Sequence, residues 1–93
     1  MMTRRTFDLD GTLCTDTQGN YTTAQPLSDR IAVIRELYAA GVHIVIETAR
    51  GTGSGMDWTT LTESQLAEWG CPYHELHVGR KSFGIVVDDS AVT

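Results

Sequence analysis

The sequence predicts an α/β domain: a parallel sheet covered by helices on both faces, three layers in all and Rossmann-like. Three observations carry that expectation. Apolar strand candidates at Thr6 to Leu9, Val42 to Ile46 and Gly84 to Val87 alternate with two stretches of helical spacing. The second of these strands is β-branched and nearly all apolar, as suits a strand buried on both faces. Each of the three also ends in acidic or hydroxyl residues, and in parallel sheets ligands bind outside the carboxyl ends of the strands.

Thr6 to Leu9 is short and runs into Asp10-Gly11. Thr12 to Gln25 is rich in Thr, Gly and Asn and reads as a loop or small flap. Pro26 and Ser28 open the first helix, with Ser28 as N-cap and Ile31, Ile34, Leu37 and Tyr38 on one face. Gly41 ends it in the left-handed position. Gly51 to Gly55 is a loop. A second helix is expected over Leu61 to Trp69, with Thr62 and Gln65 as a capping box and Gly70 and Pro72 as its stop. Leu76 to Val78 is a short strand, and Gly84 to Val87 a further one ending in Asp88-Asp89. Trp58 and Trp69 are expected in the core or an interface, and His43 in a structural role.

With 93 residues, the chain is expected to form one domain over 1–93. Seven basic and 12 acidic residues leave a formal charge of −5, which argues against a nucleic-acid partner. No apolar run is long enough to span a bilayer. Met1 to Arg5 leads into polar residues rather than a signal-type stretch, so a cytoplasmic location is expected, with Cys14 and Cys71 as free thiols.

The chemistry-bearing residues gather at the expected strand ends. Asp8 and Asp10 stand two apart, so on an extended chain they point to the same side. Asp88 and Asp89 end the last strand. Four carboxylates at one sheet edge repel one another and call for a cation. Mg²⁺ suits one or two carboxylates with waters and a substrate phosphate. One aspartate could attack phosphorus while the other moves a proton. Gly11 permits a sharp turn, Thr48 offers a hydroxyl to a phosphate oxygen, and Lys81 offers charge to the transferring group.

Phe7-Asp8-Leu9-Asp10-Gly11-Thr12-Leu13 resembles the first motif of the haloacid dehalogenase superfamily, Asp-x-Asp-Gly-Thr after a short strand. Val42 to Thr48 resembles its second motif, Arg80-Lys81 its third, and Ile85 to Asp89 its fourth. The resemblance implies an Mg²⁺-dependent phosphatase of the capless kind, similar to small enzymes of capsule or surface-sugar biosynthesis. It implies Asp8 as the nucleophile that forms an aspartyl-phosphate and Asp10 as general acid and base. Thr48 and Lys81 would hold the phosphoryl group, with Lys81 a better match than Arg80. Gly11, Thr12, Ala49 and Arg50 would line the substrate site. Asp8, Asp10, Asp88 and Asp89 would hold the metal. Glu47 departs from the pattern, since an apolar or small residue is more usual before the threonine.

The expected substrate is a small phosphorylated metabolite, with a sugar phosphate favoured by the resemblance. Neither gap between motifs is long enough for a folded cap, so a neighbouring subunit is expected to cover the site in a homo-oligomer. The alternatives are a nucleotidase or phosphotransferase of the same fold, or a catalytically silent binding protein. A phospho-accepting receiver domain fits less well, because its acidic pair follows the first strand rather than the last. Gly51 to Gly55 lacks the phosphate-loop pattern, and a metal site at His74, Glu75 and His77 lacks further ligands.

Overall fold

The computed structural model describes residues 3–51, 56–79 and 87–88, the last two by their backbone. In chain order they form β1 (Arg4–Asp8), a 3-10 turn (Tyr21–Thr23), α1 (Ser28–Ala39), β2 (His43–Thr48), α2 (Thr59–Glu68), β3 (Glu75–Val78) and β4 (Val87–Asp88). The sheet runs in the order β3-β2-β1-β4. β1 pairs with β2 and β2 with β3 in parallel, so the expected α/β architecture with a parallel core is present.

β4 corrects the all-parallel expectation. It runs antiparallel to β1, with Arg5 opposite Asp88 and Thr6 opposite Val87. Eight residues separate β3 from β4 in the sequence, and a parallel return needs a crossover of a dozen or more.

Both helices among the described residues pack on one face of the sheet. Phe7 and Leu9 continue one face of β1, and Ile44 and Ile46 lie on the same face of β2. Ile31 and Ile34 of α1 and Leu66 of α2 are buried in one cluster with these four residues. Arg35 on α1 donates from Nε to the Gly70 carbonyl (2.8 Å) and from Nη2 to the Trp69 carbonyl (2.9 Å), at the end of α2. Both helices therefore lie side by side on one face. Two crossovers that step in the same direction across a sheet place their helices so, because each is right-handed.

Among the described residues the opposite face of the sheet carries polar side chains around a buried Val45. Register places Arg4 beside His43, Thr6 beside Val45, Val45 beside Glu75, and both Asp8 and His77 beside Glu47. Glu75 gathers the charges. Its Oε2 lies 2.6 Å from His43 Nε2 and 3.5 Å from Arg4 Nη2, and its Oε1 lies 3.3 Å from His77 Nε2. These contacts hold Glu75 below the usual glutamate range, the bond to His43 first.

Both helices differ in detail from their sequence signals. α1 begins at Ser28 with Leu27 as N-cap, and no side chain caps it. α2 begins at Thr59, so Thr62 and Gln65 lie inside the helix and form no capping box. Both face inward, where a buried cation recruits them. No helix among the described residues is long and apolar enough to cross a membrane.

Candidate active site

β1 ends at Asp8, and the chain then folds back on itself. The Leu9 carbonyl accepts from the amides of Leu13 (2.8 Å), Thr12 (3.1 Å) and Cys14 (3.2 Å), while the Gly11 amide donates to the Cys14 carbonyl (2.8 Å). Gly11 makes this turn at φ +83°, a conformation open to glycine and strained for residues with a side chain. The turn leaves Asp8 and Asp10 facing one cavity of about 440 Å³ at the carboxyl end of β1. Asp16, Gln18, Gly19 and Tyr21 close it from the flap, and Ala49 and Arg50 from the end of β2.

The two aspartates have different surroundings. Arg50 grips Asp10 side-on, with Nη2 2.9 Å from Oδ1 and Nε 3.0 Å from Oδ2. The Thr48 hydroxyl adds a bond to Oδ2 at 3.2 Å. Among the described residues no side chain hydrogen-bonds Asp8. Burial pushes the Asp8 carboxyl above the ordinary carboxylate range, and the negative charges of Asp10, Asp16 and Glu47 push the same way. A hydrogen bond from the Leu9 amide opposes them. The Glu47 that departs from the family pattern thus acts on Asp8 from the neighbouring strand, where the parallel register sets the two side by side.

Arg50 is fully enclosed, with no exposed side-chain area. A buried guanidinium must satisfy five N–H donors. Nε and one arm of Nη2 serve Asp10, and Nη2 also lies 3.8 Å from Cys14 Sγ. Nη1 donates to Gln65 Oε1 (2.6 Å) and Thr62 Oγ1 (3.2 Å). The Tyr21 ring covers the cation at 4.8 Å, and Trp58 meets that ring edge-on at 5.0 Å.

This geometry revises several expected roles. Asp8, Asp10, Ala49 and Arg50 do meet at one cavity. The Arg50 guanidinium, however, is enclosed within the protein, where Asp10, Thr62 and Gln65 supply its acceptors. Thr48 is fully buried and its hydroxyl is committed to Asp10. Thr12 lines a separate groove with Phe7, Leu13, Arg30, Val33 and Ile34. The Gly11 amide is spent inside the turn. Asp88 pairs with Arg5, three residues before Asp8 and about 10 Å away along the strand. Its expected place beside Asp8 followed from a parallel last strand, and β4 is antiparallel. Lys81, Arg80 and Asp89 lie outside the described residues.

Sequence reasoning missed Asp16, Cys14, Tyr21, Thr62 and Gln65. The Thr62 and Gln65 pair did carry a signal, two polar residues three apart on an otherwise inward helix face, but the same spacing reads as a capping box. His74 accepts the Ile44 amide at Nδ1 (2.9 Å) and stacks between Tyr38 and His43, so it braces the sheet. Among the described residues, no group of three His, Cys, Asp or Glu side chains could hold a metal ion. A hard cation bound through one carboxylate, main-chain oxygen, waters and a phosphate asks for no such group. The open, negatively surrounded Asp8 fits that mode.

Fold and cavity together define a small α/β protein built on a parallel βαβαβ unit, with an aspartate pair at the carboxyl end of its first strand. No family model matches the chain, and no curated protein matches it. A crystal structure of a target protein from Vibrio cholerae is similar at 30% identity and a TM-score of 0.75, over 96% of this chain and 80% of that one. The chain belongs to the same family as that protein.

Proposed function

We propose that the chain is an Mg²⁺-dependent phosphomonoesterase acting on a small phosphorylated metabolite, a sugar phosphate first among them. The observation that carries this reading is the unequal aspartate pair in one cavity: Asp8 open and Asp10 anchored. An Asp8 oxygen would bond to phosphorus as the ester P–O bond breaks, giving an aspartyl-phosphate, and the leaving oxygen takes a proton. Water would then attack the phosphorus and return the free carboxylate with inorganic phosphate. Asp10 would pass the proton in both steps. Asp8 and the main-chain carbonyl of Asp10 would hold Mg²⁺, which when bound offsets phosphate charge. The reading includes a cytoplasmic homo-oligomer whose neighbour covers the open cavity, which sedimentation at micromolar concentration tests.

The test is phosphate release from an aryl phosphate and a panel of sugar phosphates, with and without Mg²⁺. Mg²⁺-dependent turnover that Asp8→Asn abolishes is the expected result. The absence of turnover on every panel member, with no Mg²⁺-dependent rise in melting temperature, overturns it. One observation favours a second reading, a silent binding protein of the same fold: Arg50 and Thr48 occupy both Asp10 oxygens. A rise in melting temperature with Mg²⁺ but no turnover supports that one.

A further inference from the structure

One side chain links the flap over the cavity to the arginine that grips Asp10. Thr15 and Gln25 close the base of the flap, through Thr15 N to the Gln25 carbonyl (2.9 Å) and Gln25 N to Thr15 Oγ1 (2.9 Å). Its inner end is tied to the body by Gln65, whose Nε2 donates to the Tyr21 carbonyl at 2.7 Å. The other end of the same amide accepts from Arg50 Nη1 at 2.6 Å, and Arg50 grips Asp10. Gln65 is 6% exposed, and its Arg50 contact is buried. The amide orientation follows from its partners. Arginine can only donate and a carbonyl can only accept, so Oε1 must face Arg50 and Nε2 must face Tyr21.

We propose that Gln65 is a positioning residue, which sets the flap against Asp10 through Arg50 and so fixes the width of the cavity beside Asp8. Glutamine meets both demands because one planar group carries an acceptor and a donor. Glutamate keeps the acceptor for Arg50 and sets an oxygen against the Tyr21 carbonyl. Methionine keeps the volume and loses both bonds. The kinetic part of this inference rests on the phosphatase reading, and the structural part does not.

The experiment compares Gln65→Glu and Gln65→Met with wild type in the full chain. Hydrogen exchange at the Ala24 amide, which donates to the same Tyr21 carbonyl at 3.2 Å, reports the flap. Loss of one buried hydrogen bond should speed that exchange by about tenfold in both variants. On an ester that wild type hydrolyses, Gln65→Glu should raise KM about tenfold with kcat within about threefold, since Arg50 keeps its acceptor. Gln65→Met should lower kcat as well. Exchange and KM within about twofold of wild type in both variants overturn the proposal. If wild type turns over no ester, the phosphatase reading fails, and exchange alone decides whether Gln65 anchors the flap. If Gln65→Met does not fold, Gln65→Glu carries the test.

Discussion

Arg50 and Asp10 meet as a fork on a carboxylate, the guanidinium wholly buried and the carboxylate side chain 18% exposed. Forty residues separate them in the chain, yet the pair joins the end of β1 to the end of β2 and, through Thr62 and Gln65, to α2. Such pairs add geometric specificity as well as attraction. Here the geometry holds one aspartate of the cavity still while its neighbour stays open.

Arg50→Met should cost about 3–5 kcal/mol in chemical denaturation, because it leaves the Asp10 carboxylate without its cation. Arg50→Lys should lie between wild type and Met, since one ammonium cannot serve Asp10, Thr62 and Gln65 from a single point. Combining Arg50→Met with Asp10→Asn should recover part of the loss. Additive losses in that double-mutant cycle would show that the pair is not coupled.

Asp8→Asn should raise the melting temperature at neutral pH in the absence of divalent ions. Ionised Asp8 faces burial and the charges of Asp10, Asp16 and Glu47. Its folded-state proton affinity is raised, so the folded state binds more protons than the unfolded one. Stability then falls as pH climbs from the ordinary Asp range through the folded value. The advantage of the variant should therefore shrink as pH drops back into the ordinary Asp range. A variant less stable than wild type at pH 7 would contradict this account.

Glu75 has the opposite sign. His43, His77 and Arg4 face it and hold its folded-state affinity below the ordinary value of 4.5. Its contribution is present above that value and is lost as pH falls through the folded one. Glu75→Gln should lower stability at pH 6 by less than about 1 kcal/mol, as befits a part-exposed cluster. The gap from wild type should close in acid. A gap that persists at pH 3 sinks the assignment.

Cys14 and Cys71 are free and buried. Burial pushes their thiols up to about 12 and about 11 respectively, with the Asp10 charge adding to the effect at Cys14. The thiolate is the reactive form, so neither should label with an alkylating or disulfide reagent at pH 8 in the native state. Both should label once denaturant unfolds the chain. Rapid native labelling at Cys14 would mean that the packing around Arg50 opens readily.

What the sequence determined by itself is local. The strand and helix positions follow from apolar spacing that near neighbours set. β1 and β2 fall over the expected stretches, and α2 lies at Thr59–Glu68, two residues earlier at its start than the reading. Asp8 and Asp10 share a cavity as their spacing of two predicts, with the turn beyond Asp8 setting Asp10 in place. Two free thiols were also legible, from the absence of any paired spacing.

Tertiary structure decided the rest. The direction of β4 is set by its long-range pairing with β1, and this moved Asp88 from Asp8 to Arg5. Both helices fall on one face because both crossovers step the same way, which no single segment encodes. Arg50 reads as a substrate-site residue beside a glycine loop. It becomes an internal strut only when Asp10, Thr62 and Gln65 arrive together from β1 and α2, since burial of a guanidinium is tolerable only where all of its donors find partners.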